Sequence, residues 1–394
     1  MRSSNTSGVT FVNADIGGEL TSLRITGARI TSLGGKSRAA DVVVDLQGDR
    51  VLPGFINAHD HLQLNSLPDP APGKRYRHVR EWIADVDARR RSDPEFESGV
   101  AVARDERLLI GGVKNLLSGV TTVAHHDPFY PFLSDARFPI AVVSDYGWSH
   151  SLYLDGEDEV VGSHRATPRD WPWIIHAAEG VDDSATDEFD RLEALGCLGP
   201  NTLLVHGIAL DRARQARLQR VGAGLIWCPS SNLRLFGRTA AVAELAALGR
   251  VALGTDSRLS GVRDFLDELR VAGETAGFDD RTLESLATRD GARLLRLADR
   301  GTLRAGGRAD ILILPARSRL ATITRADVRL VLVGGIVRYG DGDLARRTAP
   351  RAEWAEVRVD GRTKILDRGL AAQLSACRAR ESGLEISNAA WRAA

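Results

Sequence analysis

The apolar residues of this chain fall in two textures. Near both ends they form short alternating runs broken by Gly and Ser, at 9–12, 23–25 and 41–46, then at 310–314 and in a hairpin-like pair over 328–338. Period-two alternation with frequent turn residues predicts antiparallel strands. In the middle the runs are solidly apolar, beginning at Val51, Val120, Ile140, Trp173, Thr202 and Val251. Unbroken runs of this length predict parallel strands buried on both faces. Helical periodicity separates them at 97–118 (closing at Gly119), 211–221, 239–248 and 280–297. The tail, 363–394, also reads as helical.

This alternation predicts an α/β fold, a (β/α)8 TIM-type barrel over 53–301. The barrel is inserted between two terminal pieces, 1–52 and 302–394, that together form a small β-sandwich domain. The chain between the 120–123 and 173–175 runs is short for two intact helix–strand units. One unit is therefore expected to be compressed, and the third and fourth barrel strands stay unassigned, with 140–146 read as one strand.

Composition narrows the picture by exclusion. The 394 residues carry 52 basic and 52 acidic side chains, so no net charge favours nucleic acid. No apolar stretch approaches the ~20 residues of a membrane span, and the first residues lack the apolar segment of a signal peptide. Cys197, Cys228 and Cys377 are scattered and odd in number, which suits a reducing cytoplasm. Cys228 reads as a small buried hydrophobe. His78 and His164 lie in polar stretches and are expected to be solvated.

The chemistry sits where the apolar runs stop. His59 and His61 are two apart at the end of the first run, so on a strand they share a face. His176, His206 and Asp256 each end a later run. Strand ends in such a barrel open on one mouth, and three or more imidazoles with one carboxylate there make a catalytic metal site with room for water.

The motifs Leu52-Pro-Gly-Phe-Ile-Asn-Ala-His-Asp-His61, His176-Ala-Ala-Glu179, Cys228-Pro-Ser-Ser-Asn-Leu233, Gly254-Thr-Asp-Ser257 and Gly301-Thr-Leu-Arg-Ala-Gly-Gly-Arg-Ala-Asp310 resemble the amidohydrolase superfamily. Over nearly the whole chain the resemblance is to its mononuclear deaminase-like branch, that of cytosine and guanine deaminases and triazine hydrolases. It implies that His59, His61, His176 and Asp256 hold one divalent metal, zinc or else iron. It also implies that Glu179 shuttles protons and that His206 hydrogen-bonds the attacking water or the substrate. A bound ion would lower the pKa of its water from ~15.7 towards ~7, and Asp256 could take that water's proton. The bridging lysine of binuclear relatives has no counterpart between 119 and 173, where no lysine occurs.

The activity so implied is hydrolysis of a non-peptide C–N bond, foremost the deamination of an amino-substituted N-heterocycle or amidine-like carbon by metal-bound hydroxide. Opening of a cyclic amide, as in imidazolonepropionase-like relatives, is the alternative. A non-catalytic binding protein on the same scaffold is a third reading, opposed by the intact ligand positions. Substrate contacts are expected from Gln63, Asn65, His125, Trp148, His150 and Asn232. His125 and His126 are adjacent at a strand end, so at most one can face the barrel interior, and for that pair a role in orienting a metal ligand is weighed against substrate binding and favoured. The Pro-rich stretch 66–76 reads as a lid over the mouth. The expected partner is a small molecule, with neither nucleic acid nor membrane, and relatives of this kind are often homodimers.

Overall fold

The computed structural model of the protein describes residues 7–68 and 72–386. Its centre is a ring of eight short strands: Phe55–Asp60, Val120–His125, Ala141–Val142, Gly147–Ser149, Trp173–Ala177, Thr202–His206, Gly224–Trp227 and Val251–Leu253. The first three pair in parallel, as do the last five. A parallel bridge between Asp60 and Asp256 returns the last strand's end to the first. The expected compression lies between the third and fourth strands. The run read as one strand at 140–146 is two strand ends joined by 143–146, with no helix between them.

Residue choice explains the close ring. Trp173, Ile174 and Ile175 are buried, as are Leu203, Leu204 and Val205, because helices cover the outside while neighbouring strands fill the inside. Two glycines set the spacing at the site. A Cβ at Gly54 would lie 2.3 Å from the side chain of Thr121, and one at Gly254 would lie 2.8 Å from the Cβ of His59. Any larger residue would push these strands apart.

The helix expected over 97–118 is two helices, Pro94–Val100 and Arg104–Leu117. Asp93 caps the first through the backbone N–H groups of Glu95 and Phe96, with Pro94 in the first turn. The 280–297 segment likewise breaks at Thr288, into Asp280–Ala287 and Arg289–Leu294. Asp211 caps the helix Arg212–Arg220, close to its expected bounds.

The terminal pieces meet in one continuous eleven-stranded sheet. Arg50–Pro53 pairs antiparallel with Ile311–Leu314 and touches Val9–Ile16, which joins the two ends of the chain. These pairings establish a shared sheet, but not a two-layer sandwich. Gly334 and Gly335, at φ 57° and 78°, form the tight turn between Leu330–Val333 and Ile336–Gly340.

The tail corrects its helical reading. It contains the strand Arg362–Asp367, the helix Arg368–Ala376 and the strand Leu384–Ile386, while 387–394 lie outside the described residues. Strand and helix propensities alternate here too quickly for a periodicity window to separate them. No helix among the described residues is long and apolar enough to cross a membrane.

Candidate metal and active site

The strand ends bring the ligand candidates together. The Nε2 atoms of His59 and His176 are 3.3 Å apart, and those of His61 and His176 are 3.4 Å apart. Asp256 Oδ1 lies 3.7 Å from both His59 Nε2 and His61 Nε2. The groups His59, His61, Asp256 and His59, His176, His206 each place one donor atom per residue within 4.8 Å of the others. His206 and Asp256 hold left-handed backbone, at φ 72° and 56°. Such strain persists where surroundings enforce it, often at functional positions.

The outer nitrogens decide what the inner ones offer. His176 Nδ1 faces the His150 carbonyl at 2.8 Å, so it donates there and leaves Nε2 a lone pair. Asp127 receives His61 Nδ1–H at 2.7 Å. For His59 the control is relayed. The Ser149 carbonyl accepts from His126 Nε2 at 2.9 Å, so His126 Nδ1 is an acceptor. It takes the proton of His59 Nδ1 at 3.2 Å, which leaves His59 Nε2 bare. The Asp256 carboxylate is arranged likewise: Ser231 and Ser260 hydroxyls donate to Oδ2 at 2.7 and 2.6 Å, leaving Oδ1 towards the imidazoles.

The Nε2 lone pairs of the neutral His59 and His176 face each other at 3.3 Å with no proton between them, and His61 Nε2 points at the same spot, an arrangement that suits a shared cation. The donor set therefore fits a divalent metal. Burial keeps His59 neutral, its pKa lowered to about 4 despite Asp256. Burial and then His126 lower His176 further. Burial also opposes charge on His61, but Asp127 first and then Asp256 outweigh it and raise its pKa to about 9. A cation in the cluster would displace that proton.

Glu179 stands beside this cluster, with Oε1 3.5 Å from His206 Nε2. Burial, then Asp256 and Glu188, push its carboxyl well above the usual range, so it is held as an acid. The turn that carries it is pinned: Ala178 sits at φ 54°, and its N–H donates to Glu188 at 2.8 Å. His206 is oriented by Asn232, whose Oδ1 accepts from Nδ1 at 2.8 Å while its NH2 donates to Thr239.

A cavity of about 190 Å³ opens above these groups. Of the six expected substrate contacts only His150 lines it. Asn65 is spent below, donating to Asp60 Oδ1 at 2.8 Å and accepting from Lys114 at 2.8 Å. Gln63 lies beside the site without lining the cavity, and its carbonyl accepts from Arg107. The strand ends at Asp60, and a turn of 3-10 helix at Leu62–Leu64 sets the direction of these two side chains. His125 is buried, with Nδ1 facing the Leu62 N–H. Trp148 packs edge-on against His126 and His150, and Asn232 acts through His206.

Sequence reasoning missed the wall of the cavity. It is the helix Val79–Ser92, which brings Val79, Trp82 and Ile83 over the mouth. The spacing Val79, Trp82, Ile83, Val86 carried the signal. His78, expected to be solvated, is buried as that helix's N-cap, and His164 packs against Trp173. Residues 69–71 of the stretch read as a lid lie outside the described residues. Asp127, Ser231 and Ser260 were also missed, since nothing local marks a polar residue that serves another.

A model of the amidohydrolase family matches residues 171–338. A 5-methylthioadenosine/S-adenosylhomocysteine deaminase of Haloarcula marismortui is 30% identical over 329 residues, 70% of this chain and 74% of the relative. An 8-oxoguanine deaminase of Pseudomonas aeruginosa is 32% identical over 198 residues, 42% of this chain and 43% of its own length. Among solved structures, a triazine hydrolase from Arthobacter aurescens superposes with a TM-score of 0.69 at 19% identity, covering 84% of this chain and 94% of its own. A zinc-bound adenosine deaminase from Xanthomonas campestris gives 0.66 at 19%, covering 84% and 92%. The structural likenesses bear on the fold, a TIM-barrel-like α/β architecture.

Proposed function

The chain belongs to the amidohydrolase family and is an enzyme of C–N bond hydrolysis; from that premise we propose a metal-dependent aminohydrolase that removes an amino group from a nitrogen heterocycle. The observation that carries this reading is the meeting of the His59, His61 and His176 Nε2 atoms with Asp256 Oδ1 beside the buried Glu179 carboxyl. Those four residues would hold one divalent ion, zinc in this reading and iron in the alternative. When bound, it supplies an acidified water.

The chain's own groups carry the rest. Glu179 gives its proton to the ring nitrogen as water attacks the amino-bearing carbon. The carboxylate so formed takes the proton that Asp256 Oδ1 has removed from the water and passes it to the departing amine, and the remaining hydroxyl proton restores the Glu179 acid as the carbonyl forms. Asp256 Oδ1 takes the proton of the water. His206, fixed as its Nδ1–H form by Asn232, presents Nε2 as an acceptor for the water's remaining hydrogen. The water oxygen ends on the ring carbon and the amine leaves as ammonia.

Glu179→Gln tests this assignment. It should retain the metal and lose about 10²–10⁴ in kcat, measured by ammonia release on a turned-over substrate. Near-normal rates would refute the proton shuttle. A new carboxylate in place of ammonia would favour cyclic amide opening.

A further inference from the structure

The residues around the cavity speak to which ring amine it admits. We propose that the site takes a small, uncharged ring amine bearing apolar substituents, and rejects nucleosides and anionic derivatives of the same ring. This rests on the deaminase reading above and narrows it.

Three observations carry the proposal. The cavity, at about 190 Å³, is smaller than the about 300–1,000 Å³ usual for drug-sized ligands. It has space for a ring and a short substituent, and little for a pentose as well. Its upper wall is apolar, built from Leu64, Val79, Trp82, Ile83 and Leu154. A substituent leaving the ring away from the imidazoles meets these side chains, where the Trp82 indole N–H is the one polar group and the several hydroxyls of a pentose would mostly lose water without finding partners.

Among the described residues no arginine or lysine lines the cavity, whereas Asp127, Glu179 and Asp256 do. Arginines nearby are engaged elsewhere: Arg258 is bidentate to Glu381 at 2.8 and 2.6 Å, and Arg80 stacks on Tyr153. A carboxylate or phosphate on the substrate would therefore meet no arginine or lysine at the wall, and the lining His61 and His150 already face Asp127. The polar groups left over are neutral. The Ser257 hydroxyl and the Trp82 indole N–H are buried, have no partner among the described residues, and belong to lining residues. They suit the ring nitrogens of an uncharged heterocycle.

The test offers zinc-supplied protein matched compounds on three rings: adenine, cytosine and an amino-1,3,5-triazine. Each ring carries an ethyl, a ribosyl or a carboxyethyl substituent, and ammonia release is followed. On whichever ring turns over, kcat/KM for the ethyl compound should exceed the ribosyl by about tenfold or more and the carboxyethyl by about a hundredfold. Leu154→Arg, at an exposed position, should narrow the gap to the carboxyethyl compound by about tenfold. Equal or better turnover of ribosyl or carboxyethyl compounds would overturn the inference and leave deamination standing. An unchanged ratio in Leu154→Arg would overturn the assignment of charge exclusion to this wall. Ammonia from none of the compounds would bring down both the inference and the deaminase reading.

Discussion

The buried polar cluster around Arg325 and the buried polar cluster around His59 differ in how their charges close. In the first, Arg325, Arg258 and Arg263 face Glu381, Asp360 and Asp264. Arg325 reaches Glu381 at 2.5 Å and Asp360 at 2.8 Å, and Arg258 holds Glu381 from the other side. Every charge has an opposite neighbour inside the protein, and the cluster ties the C-terminal segment to the loop after Asp256. In the second, imidazole lone pairs confront one another and one carboxylate oxygen, with the outer atoms fully engaged. A cluster that satisfies itself is architecture; one that needs an added cation is a site.

The contrast can be broken from either side. The largest expected effect on folding is at Glu381. Glu381→Leu leaves Arg258 without a carboxylate and Arg325 with Asp360 and Asp264 alone, and loss of one partner from a buried pair costs about 3–5 kcal/mol. Denaturant unfolding should show that loss, while metal per folded chain stays unchanged. If metal were lost in proportion, the two clusters would not be separable.

His126 sharpens the other side. His126→Leu removes the acceptor that fixes the tautomer of His59, and partners of this kind cost about 10–100-fold in metal affinity. His126→Asn, which keeps an acceptor, should recover part of that in a competition titration with a zinc chelator. Equal affinities for both variants would show that the relay does not act through the hydrogen bond.

The smallest effect expected is at Glu268, buried beneath the site, where its carboxyl accepts the Ser230 N–H at 2.9 Å and pairs with the Ser230 hydroxyl. Burial, against the Ser230 bonds, raises its pKa from 4.5 to about 8. A folded-state pKa above the unfolded one means that stability is fully present below 4.5 and declines as pH rises towards 8. Glu268→Gln should flatten the fall of Tm across that window. An unchanged pH slope would show that the group does not titrate there.

The same contrast explains what the sequence could reveal. His59, His61, His176, His206 and Asp256 were legible because buried parallel strands announce their own ends, and the barrel puts those ends on one mouth. Asp127, Ser231 and Ser260 were not, because they serve neighbours in space through bonds that leave no local period. Gln63 and Asn65 fall beyond the strand, in and after a short helical turn at Leu62–Leu64, where nothing in the sequence marks which way a polar side chain points. The helix Val79–Ser92 was overlooked although its apolar spacing was present. Its many arginines and acidic residues mask that stripe in a window average.

Metal content tests the central claim most directly: that the imidazole cluster is built around one cation. Elemental mass spectrometry of the purified protein beside His176→Ala should give about one zinc or iron per chain in the first and essentially none in the second. Two ions per chain, or none after metal-sparing purification, would contradict it.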